Sequence, residues 1–198
     1  MRPEISDLVR STTYPYLRDH EKVHNRPNIR GVDTGCNVIF LDHDEQESSD
    51  EDRAMLGANS KINLHEVGLV TSILQYLLQQ GYSMADIVVL TPYLGQLVQI
   101  QNALKSFAAV DINENDRKEL KKLDDVDLEG ADKLKYNDDS DDDSKSGDGA
   151  AKSKCIDAVR VSTVDNFQGE EANIIIGSLV RCNDDKDIGF VSGAERVN

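Results

Sequence analysis

The sequence predicts an α/β domain of three layers, in which helices cover both faces of a parallel sheet. Short apolar runs at residues 86–91 and 173–180 are typical of buried strands, because they are rich in isoleucine, valine and leucine. Amphipathic helical segments at residues 63–80 and 94–107 precede and follow the first of these runs. Strands that alternate with helices indicate crossover connections, and crossovers join parallel strands.

The segment before the first long helix is predicted to hold a short helix, a strand and two loops. Residues 3–12 form the helix, since Pro3 suits a first turn and the apolar side chains fall on one side. Residues 14–35 lack a sustained period and are predicted as a loop. Residues 37–42 are an apolar run that suits a buried strand, and the acidic residues 43–59 are predicted as a solvated loop.

The clearest predicted helix covers residues 63–80. Asn63 is its candidate N-cap, and Glu66 three residues later would complete a capping box. Apolar side chains recur along one face of this helix at Val67, Val70, Leu74, Leu77 and Leu78. Beyond it, residues 158–163 add a further predicted strand, which alternates at its start.

Much of the negative charge lies in one segment. The chain has a net charge of −15, and residues 111–150 carry fifteen acidic against seven basic side chains. We therefore predict residues 1–110 and 155–198 as two parts of one domain, the second incomplete, separated by an acidic low-complexity insertion at 111–154 with a disordered tip. An inert surface insertion and a phosphoregulated or partner-binding tail both stay open. The inert interpretation expects that deleting residues 113–152 leaves folding intact.

Composition and motifs argue against several classes of protein. No run of about 18 apolar residues exists, so no membrane span is expected. The three cysteines are far apart and lack metal-ligand spacing, which predicts reduced thiols in an intracellular protein. Nucleus and cytoplasm both stay open as its compartment. The net charge argues against simple electrostatic capture of nucleic acid, although it does not fix the sign of any one groove. The phosphate-binding GxxxxGK[ST] loop and the GxGxxG and GxSxG motifs are all missing from the sequence.

Two segments carry more polar groups than their turns require. The first, residues 90–96, follows a predicted strand, and ligands of parallel sheets bind where the strands end. It offers the Thr91 hydroxyl, the rigid Pro92, the Tyr93 ring and the Gln96 amide. A plain strand-to-helix turn with a buried tyrosine is the alternative for this segment taken alone.

The second segment, residues 161–171, reads Val-Ser-Thr-Val-Asp-Asn-Phe-Gln-Gly-Glu-Glu between two predicted core strands. Gly169 would let the backbone pass close to a ligand. Six of its polar side chains are candidates for binding, namely Ser162, Thr163, Asp165, Gln168, Glu170 and Glu171. Because so many polar groups meet at one connection, the segment predicts a binding site rather than a purely structural turn.

Both segments resemble motifs of superfamily 1 helicases of the nonsense-mediated-decay type. Residues 91–96 (Thr-Pro-Tyr-x-x-Gln) are similar to motif IV of that family, residues 161–171 to motif V, and residues 188–198 to the approach to motif VI. Residues 1–5 and 77–81 are most similar to helicase-like proteins that bear NFX-type zinc fingers. The resemblance implies a RecA-like (P-loop NTPase) fold, as the C-terminal motor domain, truncated at its C-terminus.

The resemblance also implies partners and site residues. Two RecA-like domains close on ATP and step along a strand, so the implied partners are the N-terminal RecA-like domain of the same protein, single-stranded RNA with DNA not excluded, and RNA-silencing or RNA-decay complexes. ATP and magnesium would be bound mainly by that first domain. The implied nucleotide-binding residues are Gln168, Gly169, Glu171 and Arg196. The implied nucleic-acid-binding residues are Thr91, Pro92, Tyr93, Gln96, Ser162, Thr163 and Asp165.

Two alternatives to an ATP-dependent helicase remain at this point. One is a non-enzymatic RNA-binding or scaffold relative of such helicases, and the other is a fragment with no independent role. The family pattern places one phosphate-contacting arginine just before Met1 and an arginine finger just after Asn198. We therefore expect the motor to need parts that this chain does not carry.

The isolated 198-residue chain is expected to hydrolyse no ATP above background. The phosphate-binding loop is missing from the sequence, and an arginine finger alone contributes about 10³–10⁵ to the rate of related phosphoryl transfers. A phosphate-release assay with single-stranded RNA and magnesium checks this. Turnover that survives repeated purification would contradict it.

Overall fold

The computed structural model describes residues 1–32, 35, 37–55, 60–126 and 157–192. The helices are α1 (Pro3–Thr12), α2 (Asp50–Met55), α3 (Leu64–Gln79), α4 (Leu94–Leu104) and α5 (Glu114–Val126). The strands are β1 (Ile87–Thr91), β2 (Val110–Ile112), β3 (Val159–Thr163) and β4 (Ile174–Gly177). Single turns of 3₁₀ helix lie at Glu21–Val23, Met84–Asp86, Asp165–Phe167 and Gly189–Ser192.

The four strands form one sheet in the order β2-β3-β1-β4, and each neighbouring pair is parallel. Thr91 of β1 stands opposite Thr163 of β3, and Leu90 stands opposite Gly177 of β4. The carboxyl ends of these strands therefore lie at the same edge of the sheet. The predicted RecA-like α/β fold with a parallel sheet is confirmed.

The core lies between the sheet and the pair of helices α3 and α4. The predicted apolar face of α3 is buried at Val67, Val70, Leu74 and Leu77, whereas Leu78 is only partly buried against the core. From α4, Leu97, Ile100 and Leu104 are fully buried against the strands. Each such side chain stabilises the fold by about 1.5–3 kcal/mol relative to leaving it exposed. This packing fixes where β1 ends and α4 begins.

The start of α3 departs from the predicted capping box. Asn63 caps the helix as expected, because its side chain accepts a hydrogen bond of 3.2 Å from the Glu66 backbone N–H. The reciprocal bond is missing, since the Asn63 N–H donates instead to Gln96 Oε1 at 2.9 Å. The Glu66 carboxylate turns to the end of β4, where it accepts from the Ser178 hydroxyl at 2.6 Å. Tertiary partners have therefore replaced the local one.

The strand predicted at residues 37–42 is wrong, because this stretch is irregular in the structure. Ile39, Phe40 and Leu41 are 47%, 76% and 54% exposed, so the apolar run is not buried. A strand needs a neighbour for its backbone groups, and the sheet of the described residues is made of four other strands, β1 to β4, without this stretch. Apolar composition alone did not distinguish a strand from an exposed segment.

The predicted insertion boundary at residue 111 falls inside β2, which pairs with β3 through Ile112 opposite Val161. The helix α5 follows at once and begins with an acidic first turn. Residues 110–126 therefore belong to the folded domain. The predicted disordered tip lies outside the described residues. A deletion that starts at residue 113 would remove α5. The expectation that deleting residues 113–152 leaves folding intact therefore does not hold for the part of the deletion that contains this helix.

The N-terminal segment is held against α3 and the turn after it. The Arg30 backbone N–H donates to the Tyr82 hydroxyl at 2.9 Å, and the Arg30 guanidinium lies 4.5 Å from the centre of the Tyr82 ring. The predicted helix at residues 3–12 is confirmed as α1, and Ser6 in it is buried and donates to Asp19. Within the described ranges, no helix is long and apolar enough to cross a membrane.

Candidate nucleic-acid interface

Two turns lie side by side at the carboxyl edge of the sheet. One follows β1 at residues 92–94, and the other follows β3 at residues 164–168. The Val164 N–H donates to the Thr91 carbonyl at 3.1 Å, so the pairing of the two strands continues into the turns. Carboxyl ends of parallel strands are where α/β domains bind ligands.

A groove of about 240 Å³ separates the two turns. It is lined by Ser60, Pro92, Tyr93, Leu94, Glu119, Thr163 and Asp165. The groove thus gathers four of the seven residues predicted to bind nucleic acid, from segments about 70 positions apart in the sequence. Ser60 and Glu119 are additions that the sequence did not single out.

The predicted residues divide into a buried and an accessible group. Thr91, Gln96 and Ser162 are fully buried, and Thr163 is 6% exposed. Pro92 and Tyr93 are partly exposed, and Asp165 is exposed. The accessible surface of the site is therefore made of a proline ring, a phenol and a carboxylate, whereas the hydroxyls and the amide lie beneath it.

Gln96 joins three elements below the groove. Its Oε1 accepts from the Asn63 N–H at 2.9 Å, and its Nε2 donates to the Asn63 carbonyl and to the Ser178 hydroxyl at 2.9 Å. Ser178 donates in turn to Glu66, whose second oxygen accepts from the Val180 N–H at 2.8 Å. β4 ends at Gly177, earlier than the predicted residue 180, and Val180 beyond it adopts a φ of 74°. A buried amide with every group bonded fixes its neighbours.

The close approach of Ser60 explains the glycine between Tyr93 and Gln96. A Cβ on Gly95 would lie 2.9 Å from the Ser60 carbonyl oxygen, which is closer than real Cβ contacts allow. The segment before α3 therefore packs directly on the first turn of α4. This contact places Ser60 on the wall of the groove.

Asp116 of α5 is the site residue that the sequence analysis missed. It is fully buried, and its carboxylate accepts four hydrogen bonds from the second turn. The donors are the Ser162 hydroxyl at 2.9 Å, the Thr163 N–H at 3.0 Å, the Thr163 hydroxyl at 2.6 Å and the Asn166 amide at 2.7 Å. No local pattern marks this residue, because its partners lie 46 or more positions away.

Arg181 supports Tyr93 from behind the groove. Its guanidinium is 10% exposed and forms ion pairs with Glu47 at 2.7 Å and with Asp187 at 3.0 Å. Burial opposes the charged form of Arg181, but the hydrogen bond with Tyr93 and the charges of Glu47 and Asp187 together raise its pKa above the ordinary value. Arg181 is therefore a permanent cation that is already neutralised, and it holds the phenol oxygen of Tyr93.

The residues predicted to bind nucleotide lie on the exposed corner after β3. Gln168, Gly169 and Glu171 are exposed, and Arg196 lies outside the described residues. Gly169 has a φ of +81°, a conformation that L side chains rarely adopt. An ion pair between Arg160 and Glu170 braces the corner, and the Arg160 guanidinium lies 5.7 Å from the centre of the Phe167 ring.

The described part of this corner fits the sugar side of a nucleotide better than its phosphates. Gln168 and Glu171 offer hydrogen-bond acceptors that suit ribose hydroxyls. Arg160, a cation beside them, is already paired with Glu170. Across the described ranges, no group of three or more histidine, cysteine, aspartate or glutamate side chains is arranged to hold a metal ion.

The groove lining carries carboxylates from Glu119 and Asp165 and, among the described residues that line it, no lysine or arginine. Phosphate groups are bound chiefly by lysine, arginine and N–H donors, so this wall is not built to attract a phosphate backbone by charge. It instead offers a ring face and hydrogen-bond acceptors. Bases and sugars present both complementary surfaces.

Comparison with known proteins identifies a family and several relatives. A family described as AAA domain matches residues 1–198. The chain is 29% identical over 199 residues to NFX1-type zinc finger-containing protein 1 of Mus musculus and 28% identical over 197 residues to helicase required for RNAi-mediated heterochromatin assembly 1 of Schizosaccharomyces pombe. Both comparisons cover 100% of this chain, but only 8% and 14% of those relatives. It is also 27% identical, over 70% of its length, to a regulator of nonsense transcripts 1 homolog of Neurospora crassa, of which it covers 9%.

We predict that Asp116→Asn lowers the free energy of unfolding by about 1–3 kcal/mol. Asparagine keeps the shape, but its NH₂ group would face the Thr163 N–H or the Asn166 amide, so one buried donor loses its acceptor. Urea denaturation followed by circular dichroism measures the change.

Glu114→Gln is the matched control, because it removes one negative charge from an exposed position of the same helix. It should change stability by no more than about 0.5 kcal/mol. An Asp116→Asn variant as stable as this control would show that the four hydrogen bonds do not support the turn.

Proposed function

The chain belongs to the AAA domain family and, within it, to the superfamily 1 helicases of the nonsense-mediated-decay type, and from that premise we propose that it acts as the second motor domain of an ATP-dependent RNA helicase or translocase. In this role its carboxyl edge forms part of the single-strand track and one wall of the ATP cleft. The observation that carries the proposal is the groove that brings together Pro92, Tyr93, Thr163 and Asp165.

The composition of the groove supports a single strand as the ligand. In a duplex the base faces are stacked on each other, whereas a single strand can lay a base on the Tyr93 ring. Asp165 and Glu119 can accept hydrogen bonds from base amino groups or ribose hydroxyls. Cations that neutralise the phosphates would come from outside this wall, which is consistent with a track shared by two domains.

The buried residues of the site act by holding the accessible ones. Gln96 fixes the first turn of α4 through Asn63 and Ser178, and Thr91 Oγ1 accepts a hydrogen bond of 3.4 Å from the Tyr93 N–H. Both interactions set the position of Tyr93. We therefore assign Thr91, Gln96, Ser162 and Thr163 positioning roles in nucleic-acid binding rather than direct contacts with phosphate.

The exposed corner supports the nucleotide side of the proposal. The Glu171 and Gln168 side chains would accept hydrogen bonds from the ribose hydroxyls of ATP. Gly169 provides the turn on which both side chains lie. When bound, ATP and magnesium would supply the phosphoryl transfer, and we place the groups that hold the phosphates in the first domain. The corner and the groove share the connection after β3. A displacement of the backbone at the corner would therefore be transmitted to the groove through a few residues.

RNA is the proposed polymer because the relatives include a helicase required for RNAi-mediated heterochromatin assembly and a regulator of nonsense transcripts. The same names lead us to propose RNA-silencing or RNA-decay complexes as partners. They also lead us to propose an intracellular location, in the nucleus or cytoplasm. The first RecA-like domain of the same protein is the proposed partner across the ATP cleft. DNA binding is the outcome against which the RNA proposal is tested.

We expect Tyr93→Ala to weaken the binding of a single-stranded oligoribonucleotide by about 5- to 150-fold, since one base stack on an aromatic ring contributes about 1–3 kcal/mol. Fluorescence anisotropy with a labelled strand measures the dissociation constant. The same strand as DNA and as a duplex provides the comparison polymers.

Tyr93→Phe is the control for this experiment. It keeps the ring but loses the hydroxyl that bonds to Arg181, so affinity should stay within a few-fold of the wild type if stacking dominates. Equal affinity of the Tyr93→Ala variant and the wild type would contradict the proposed track. Tighter binding of DNA than of RNA would retain the track and overturn the choice of polymer.

A further inference from the structure

We propose that Asp116 is a positioning residue for strand binding, which orders the turn after β3 and thereby sets the groups that face the groove. The inference rests on the proposed function, since it names a residue that acts at the same site. Asp116 belongs to α5, in a segment that the sequence presents as the beginning of an acidic insertion.

Both carboxylate oxygens of Asp116 accept hydrogen bonds from the turn. Oδ1 accepts from the Thr163 hydroxyl and the Asn166 amide, and Oδ2 accepts from the Ser162 hydroxyl and the Thr163 N–H. These donors span the last residues of β3 and the single helical turn that follows it. One buried carboxylate therefore fixes five consecutive residues, 162–166, from outside their own segment.

These hydrogen bonds also determine which groups of the turn remain available to a ligand. The Thr163 hydroxyl donates its single proton to Asp116 at 2.6 Å, and the Ser162 hydroxyl has Asp116 at 2.9 Å and the Thr163 carbonyl at 3.1 Å as acceptors inside the protein. Neither hydroxyl is therefore left to donate to a phosphate in this arrangement. Phosphate oxygens only accept hydrogen bonds. The turn instead leaves Val164 and Asp165 exposed, and Asp165 lines the groove. Asp116 thus directs the polar groups inward and leaves the outer surface to bases and sugars.

The helix α5 also contributes to the groove itself. Glu119 lies three residues after Asp116, on the neighbouring position of the same helical face, and it lines the groove. Within the described part of the chain, the Asn113 amide further ties the start of α5 to the Asn166 carbonyl at 3.1 Å. One helix therefore both holds the turn and forms part of the wall.

The test uses Asp116→Asn in the complete 198-residue chain, at a temperature where all variants are folded. We expect the dissociation constant for a single-stranded oligoribonucleotide to rise by about tenfold, a modest loss for several displaced contacts. Amide hydrogen exchange across residues 162–168 should become about tenfold faster, because the turn loses at least one of its hydrogen bonds to residue 116.

Three variants separate positioning from general destabilisation. Val70→Ala destabilises the core at a buried residue that does not line the groove, so it should leave affinity unchanged while the chain stays folded. Glu114→Gln removes the same charge from an exposed position and should also bind normally. In a Thr163→Val background, Asp116→Asn should weaken binding by less than in the wild type, because the two residues act through one interaction.

Wild-type affinity in Asp116→Asn, unchanged exchange across residues 162–168, or an equal loss of affinity in Val70→Ala would each overturn the inference. Failure of the wild-type chain itself to bind any oligonucleotide contradicts the proposed function instead. The exchange measurement then still reports whether Asp116 orders the turn, so the two failures are distinguishable.

Discussion

Polar groups buried at the carboxyl ends of the strands must find their partners inside the protein, and this requirement organises the whole edge. A buried donor without an acceptor costs about 1–3 kcal/mol, so the partners are not optional. Asp116 accepts hydrogen bonds from the buried donors of the turn after β3. Gln96 forms hydrogen bonds with the buried polar groups at the start of α3 and the end of β4. Because each partner comes from a different helix, the bonds join α3, α4 and α5 to the sheet.

The same requirement separates the scaffold of the site from its surface. Hydroxyls and amides are turned inward to complete the buried network, while Tyr93, Pro92 and Asp165 are left accessible. Arg181 extends this arrangement, since its charge is neutralised by Glu47 and Asp187 while it holds the Tyr93 hydroxyl. The resulting wall is a ring face with acceptors beside it, which suits bases and sugars. Under the proposed function, a partner domain would bind the phosphates.

Local sequence patterns predicted the elements whose formation depends on local chemistry. The apolar stripe of α3, its Asn63 cap and the β1 and β3 runs were predicted correctly because periodicity and capping act within a few residues. The strand at residues 37–42 failed because an apolar run does not reveal whether a pairing neighbour exists. Asp116 was missed for a related reason. Its role depends on residues about 50 positions away, and its acidic surroundings favoured the interpretation as an insertion. The two motif turns were found, but the sequence could not tell their buried residues from their accessible ones.

The most direct test of the account is to map where a single strand touches the domain. An oligoribonucleotide that carries 4-thiouridine can be photo-crosslinked to the chain and the linked peptides identified by mass spectrometry. The account predicts crosslinks at residues 92–94 and 164–168, on either side of the groove. Crosslinks confined to the opposite edge of the sheet, around the Met84–Asp86 turn that precedes β1, would contradict it.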